Sequence, residues 1–263
     1  MQYIVSQASL VGDRSKNQDR VALLEKDQSV LMVLGDGLGG RPGGELAAQT
    51  LIDSITRDFN KQAFPVEHPN RFLHELINNA HTAINRLGKV QQPPIKPGTT
   101  AVLAFLQEGR LWWTHVGDSR FYLLQHNQPV FRSQDHSVVE NLVQNGQITE
   151  DKLSEHPLRN VVTRCLGMTD TPPIPTINRE IKLRAGDIVL LCSDGFWEPL
   201  SEETILKTIY RGKLADALAE LAEKATLISA PESDNTSAIA LQIMSLQLTQ
   251  RANPGRSPGT GPI

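Results

Sequence analysis

Three apolar runs in this sequence end on an aspartate, and a fourth begins just after one. They are SVLMVLGD (29–36), LWWTHVGD (111–118), DIVLLCSD (187–194) and DNTSAIALQI (234–243). Glycine stands beside three of the four acids: Gly35 and Gly37 flank Asp36, Gly117 precedes Asp118, and Gly195 follows Asp194. A strand end with a neighbouring glycine lets the backbone turn and leaves the carboxylate facing a cleft. Aspartate is also a common turn residue, so any one of these positions reads as a capped turn. Four of them on the ends of apolar strands constrain the fold much more. If the ends converge, the carboxylates repel one another, and a divalent cation or strongly raised pKa values must compensate. An all-oxygen donor set suits hard ions, Mg²⁺ or Mn²⁺. Zinc is disfavoured because the chain has no HExxH and no Cys/His cluster.

The remaining pattern favours antiparallel sheet. Further strand-like runs are YIVSQASL, VALLEK, TAVLAFLQ and RFYLL, several of them alternating or rich in Val, Ile and Leu. QEGR (107–110) and HNQP (126–129) each separate two such runs and predict hairpins. Helical periodicity follows in ELAAQTLIDSI. It recurs in PNRFLHELINNAHTAINRLG, with Gly88 as its expected stop, and in KLADALAELAEKATLI. Ser201 is the expected N-cap of EETILKTIY. His74 and His81 share a helix face and are read as solvated. Strands and helices come in groups rather than in strict alternation, which predicts an α+β fold.

The net charge of −3 lacks the basic excess of a nucleic-acid footprint. No apolar run approaches membrane-spanning length, and the opening residues lack a basic, apolar leader. No membrane association is expected, and the expected compartment is the cytoplasm. Cys192 lies in an apolar run and reads as a buried thiol; with Cys165 it forms no redox or zinc pair. The tail 249–263 is rich in Pro, Gly and Ser and is expected to be disordered, which leaves residues 1–248 as one domain.

The stretch GDGLGGRPGGE (35–45) admits two readings. Gly35, Gly37 and Gly40 fit G-x-G-x-x-G between a strand and a helix, as a dinucleotide-binding loop requires, and Asp53 or Asp58 lies near the expected offset for a ribose-binding acid. Against this, Asp53 falls within a helical pattern, and Asp36 would set a carboxylate beside a pyrophosphate. The other reading makes Asp36 a metal ligand.

Several stretches together resemble the bacterial metal-dependent Ser/Thr protein phosphatases of the 2C type. They are GDRSKNQDR (12–20), GDGLGGRPGGELA (35–47), GTTAVLAFL (98–106), THVGDSRFYLL (114–124), DHSVV with NGQIT (135–149), HPLRNVVTRCLG (156–167), GDIVLLCSDGFWEPLSEE (186–203) and DNTSAIAL (234–241), in the family's order. The resemblance implies a four-layer αββα sandwich, two antiparallel β-sheets packed face to face and flanked by helices. It implies that Asp36 bridges two Mn²⁺ or Mg²⁺ ions, that the Gly37 carbonyl binds one of them, and that Asp194 and Asp234 complete the first ion's carboxylates. Asp19 would hold water on the second ion, Asp118 would bind a third, and Arg14 would grip the substrate phosphate. The implied reaction is attack of a metal-bridging hydroxide on phosphoserine or phosphothreonine in proteins, without a phosphoenzyme. The chain would be a monomer reversing a partner Ser/Thr kinase, with residues 135–167 as a variable flap that shapes specificity. Two-metal chemistry and a planar guanidinium clamp suit such a phosphomonoester.

This chain departs from the family pattern in two places. Leu38 stands where many eukaryotic members have a histidine proposed as the leaving-group acid, and Arg41 stands where some bacterial members have one. A water on the ion of Asp118 is the expected substitute donor; His136 and His156 are read as structural loop residues. Gln18 stands where many relatives have Glu. A catalytically dead scaffold of the same fold is the remaining alternative, disfavoured by the intact Asp36, Asp194 and Asp234.

Overall fold

The computed structural model describes residues 1–246 except 41, 127, 129, 154 and 155. Arg41 and the tail 249–263 thus lie outside the described residues. In chain order the strands are β1 (Gln2–Leu10), β2 (Asp19–Lys26), β3 (Ser29–Asp36), β4 (Gly98–Thr99), β5 (Ala101–Gln107), β6 (Arg110–Val116), β7 (Arg120–Leu124), β8 (Phe131–Arg132), β9 (Leu166–Gly167), β10 (Thr176–Ile177), β11 (Ile181–Lys182), β12 (Ile188–Cys192) and β13 (Thr236–Ser245). The helices are α1 (Gly44–Lys61), α2 (Pro69–Val90), α3 (Val138–Gln144), α4 (Asp194–Trp197), α5 (Glu202–Arg211) and α6 (Leu214–Ser229).

One sheet has the order β1-β13-β12-β7-β8 and the other β10-β6-β5-β3-β2, with β11 also on β6. The pairing is antiparallel throughout both. The apolar run of β3 shows how the layers form. Val30, Met32 and Leu34 point between the sheets, towards Phe121, Val189 and Ile239. Leu31 and Val33 point the other way, under α1 and α2. A strand buried on both faces has no polar alternation to display, and each such side chain contributes about 1.5–3 kcal/mol. On the far side, α4, α5 and α6 cover β12 and β13 through Phe196, Ile205, Leu218 and Leu221. The result is the expected αββα sandwich.

Antiparallel topology removes the dinucleotide reading. β3 pairs with β2 and β5 in antiparallel register, so the loop after it does not open a parallel crossover. Asp53 sits within α1 and accepts a hydrogen bond from Gln49.

Two helix details also differ from expectation. α2 continues past Gly88 to Val90. A Cβ at Gly88 would meet the Ile95 carbonyl oxygen at 2.5 Å, so this glycine permits close packing rather than ending the helix. His81 is buried, not solvated, and its Nδ1 accepts from the Gly167 N–H at 3.2 Å. Ser201 caps α5 as expected, its Oγ accepting from the Thr204 N–H at 3.2 Å.

Candidate functional site

Strand register brings the sequence-predicted acids to one end of the sandwich. In the six-stranded sheet Asp19 at the start of β2 is paired with Asp36 at the end of β3. Directly opposed residues hold their Cβ atoms about 4.5–5.5 Å apart, so these two acids face each other. In the other sheet Arg120 and Ala238 both align with Cys192. Asp118 lies two residues before β7, Asp194 two after β12, and Asp234 two before β13. All three therefore project from the same margin of neighbouring strands. The two margins are tied together. The Ser193 Oγ–H donates to Asp19 Oδ2 at 2.8 Å, and the Gln18 N–H donates to Asn235 Oδ1 at 2.7 Å.

The electrostatics follow from this crowding. Burial, then the charges of Asp19, Asp194, Asp118 and Asp234, push the Asp36 carboxyl well above the usual carboxylate range. Asp118 is raised by burial and by Asp194 and Asp135. Asp194 is pushed up to about 6 by burial and by Asp234 and Glu198. Asp19 is pushed up to about 7, chiefly by burial, with Asp194 and Asp234 adding to it and the Ser193 hydrogen bond opposing. Acids held together at such a cost match a site made for positive charge.

The donors fit a hard cation. Asp19 Oδ1 is buried without a hydrogen-bond partner, and the set offers oxygen alone. Among the described residues no group of three or more His, Cys, Asp or Glu side chains is gathered into a ready metal cage. The acids are instead neighbours around the sandwich margin, and one of them is engaged elsewhere: Arg14 Nη2 donates to Asp234 Oδ2 at 2.8 Å.

Backbone geometry keeps the margin open. The Asp36 N–H donates to Thr100 Oγ1 at 3.0 Å, and Thr99 Oγ1 donates to the Asp36 carbonyl at 2.9 Å. A Cβ at Gly37 would stand 2.3 Å from the Gly44 carbonyl oxygen, so the loop and the start of α1 can approach only through glycine. We expect Gly37→Ala to cost about 1–3 kcal/mol by overpacking, measured by chemical denaturation. A change below about 0.5 kcal/mol would show that the loop relaxes freely.

Behind Asp118 lies a cluster that the motifs contained without revealing. Arg120 makes a bidentate pair with Asp135 at 2.8 and 2.7 Å. Its guanidinium lies 3.3 Å from the centre of the Trp197 ring, and the Trp197 indole N–H donates to the Asp118 carbonyl at 3.0 Å. The arginine of GDSR and the aspartate of DHSVV are thus one buried unit that fixes the Asp118 backbone. Their 15-residue separation carries no periodic signal in sequence.

Both loop histidines make structural hydrogen bonds to nearby backbone. His136 stacks on His115 at 4.4 Å, and its Nδ1 accepts from the Gly117 N–H at 3.2 Å. Burial, His115 and Arg164 push it down to about 3, so it is neutral near pH 7. His156 Nδ1 accepts from the Leu158 N–H within its own turn. Leu38 donates its N–H to Gly98, and its side chain lies against that residue.

A cleft of about 640 Å³ opens beside the acids, lined by Asp13, Arg14, Arg159, Asp194, Glu198 and Asp234 among others. A smaller cavity is lined by Asp118, Arg120, Asp135, Glu140 and Asp194 among others. Asp194 borders both. The sequence model for protein phosphatase 2C matches residues 7–226. The chain belongs to the protein phosphatase 2C family. The serine/threonine protein phosphatase PstP of Mycobacterium tuberculosis is 31% identical over 235 residues, which cover 88% of this chain and 43% of that protein. The chain therefore spans less than half the length of that relative. A putative 2C-type phosphatase of Streptococcus pyogenes is 32% identical over 205 residues, covering 77% of this chain and 81% of the relative. Among solved structures, the PstP catalytic domain in complex with two manganese ions superposes with a TM-score of 0.78 at 28% identity, covering 92% of this chain and 99% of that one. Stp1 from Staphylococcus aureus gives a TM-score of 0.85 at 26% identity, covering 93% and 96%. Within this family-typical sandwich, the acid margin described above lies where the two sheets meet.

Proposed function

We propose that this protein phosphatase 2C family chain is a metal-dependent protein serine/threonine phosphatase that uses residues 1–248 as its catalytic domain. The observation that carries the reading is the meeting of Asp19, Asp36, Asp118, Asp194 and Asp234 at one margin, beside a cleft that also presents Arg14. Asp36 and the Gly37 carbonyl, with Asp194 and Asp234, would hold two Mn²⁺ or Mg²⁺ ions, with Asp19 acting through water and Asp118 holding a third ion. Such ions supply a water that ionises near neutral pH and offset the charge of a phosphoryl group.

The chain's own groups do the rest. Arg14 presents a planar, permanently charged fork to the phosphate and must exchange its pairing with Asp234 to do so. The Trp197–Arg120–Asp135 unit keeps the Asp118 backbone in place. With Leu38 apolar and His136 neutral, the proton for the leaving alkoxide comes from water rather than from a side chain. The substrates would be phosphoserine and phosphothreonine proteins supplied by a Ser/Thr kinase, met by a monomer in the cytoplasm. Among the described residues no helix is long and apolar enough to cross a membrane.

The test is hydrolysis of p-nitrophenyl phosphate and of a phosphothreonine peptide, with and without Mn²⁺. Turnover that appears with Mn²⁺ and vanishes with EDTA is expected. A folded protein inert towards both substrates would leave the scaffold reading in its place. Arg14→Ala should raise KM for the phosphopeptide about tenfold with kcat changed less than about threefold, because ground-state phosphate binding is lost. An unchanged KM removes Arg14 from the clamp.

A further inference from the structure

The cleft beside Asp194 and Asp234 has a second wall that no part of the hydrolysis uses. Pro199, Ile228, Ser229, Pro231 and Glu232 form it. Ile228 is 55% exposed and the adjoining Leu227 76% exposed, at the last turn of α6. One exposed aliphatic residue is ordinary, but Ile228 lines the cleft together with Pro199 and Pro231, and the three give it an apolar rim.

The wall is held in place. The Ser233 N–H and Oγ–H donate to Asp13 Oδ2 at 3.0 and 2.7 Å, and the Asp13 N–H donates back to the Ser233 carbonyl at 3.1 Å. The Glu232 N–H donates to the Ser229 carbonyl at 3.0 Å. Asp13 immediately precedes Arg14, so the wall and the phosphate clamp share one piece of backbone.

Charge identifies the occupant. Of the cleft's arginines, Arg14 pairs with Asp234 and Arg159 with Glu198. Glu232 is exposed and forms no ion pair among the described residues. It lines the cleft beside Ile228 and Pro231 and brings an exposed acidic residue to that side.

We propose that this wall reads the substrate sequence around the phosphorylated residue: the prolines and Ile228 seat an aliphatic side chain, and Glu232 pairs with a neighbouring lysine or arginine. The assignment rests on the phosphatase reading above and adds the class of substrate that the site selects. An extended peptide advances about 3.3 Å per residue with side chains alternating, so a phosphorylated residue at the acids leaves its neighbours along this wall.

Steady-state kinetics on matched phosphothreonine peptides tests it, with p-nitrophenyl phosphate as a substrate without flanks. The peptides differ only in Leu against Asp and Arg against Glu beside the phosphorylated residue. Wild type should favour the Leu/Arg peptide over the Asp/Glu peptide about tenfold in kcat/KM, the size expected from partial burial of a leucine with a rim charge pair. Ile228→Asp should abolish the leucine preference, and Glu232→Arg should reverse the charge preference in a salt-sensitive way. Both variants should hydrolyse p-nitrophenyl phosphate at the wild-type rate. Equal rates on all peptides in wild type, or preferences that survive both substitutions, would overturn the assignment. So would loss of p-nitrophenyl phosphate turnover in either variant. A wild type inert towards every substrate is a different result: it removes the phosphatase reading, and this assignment with it.

Discussion

Asp36→Asn is expected to lower Mn²⁺-stimulated turnover by at least about a thousandfold while raising the melting temperature of the metal-free protein at pH 7.5. The two effects share one cause. Asp36 stands opposite Asp19 in the β2–β3 register and feels the charges of Asp19, Asp194, Asp118 and Asp234. Those charges suit Asp36 to the proposed role of cation ligand and also strain the fold when no cation neutralises them. Asparagine keeps the shape and removes one negative charge. The pH dependence has a defined sign. Asp194 and Asp19 are raised to about 6 and about 7 in the folded chain, above their unfolded value of 3.8. The folded state then binds more protons than the unfolded one, so the metal-free protein loses stability as pH rises from about 4 to 7. Mn²⁺ should reverse that trend, because its ligands must be deprotonated. Thermal melts at pH 5 and 7.5, with EDTA and with Mn²⁺, read all of this. An Asp36→Asn protein with near wild-type turnover refutes the metal role of Asp36.

Asp135→Ala should be the most destabilising single change outside the apolar core. It strands the Arg120 guanidinium, which is buried beneath Trp197 and paired with Asp135 through two bonds. Removing one member of a buried pair costs about 3–5 kcal/mol. For a domain of this size that is a fall of about 6–20 °C in Tm. The double variant Arg120→Met with Asp135→Leu should recover most of the loss, since neither charge is then buried alone. A single variant that melts within about 2 °C of wild type would show that water reaches the pair.

The strands were legible because both faces are buried, and runs such as those of β3, β5 and β12 have no polar alternation to blur them. Ser201 was legible because an N-cap is a local device. Gly88 was misread for the opposite reason: its role is set by Ile95 and Pro97, which reach it only in the folded chain. His81 was misread likewise, since its partner Gly167 lies 86 residues away. The acids were legible one by one as strand termini, whereas their convergence needed register and sheet order that spacing does not encode. The Arg120–Asp135 pair under Trp197 could not be read at all, because only the fold brings GDSR and DHSVV face to face. The pairing of Arg14 with Asp234 was equally silent in sequence.

The most direct measurement is a crystal structure of the protein soaked in Mn²⁺, with anomalous difference maps collected at the manganese edge. Two peaks about 3.5–4 Å apart are expected, bridged by the Asp36 carboxylate, one of them also bound by Asp194, Asp234 or the Gly37 carbonyl. A weaker third peak is expected at Asp118. Anomalous peaks found only away from this margin, with Asp36 bound to no ion, would contradict the assignment of the acid-bearing strand ends as a metal centre.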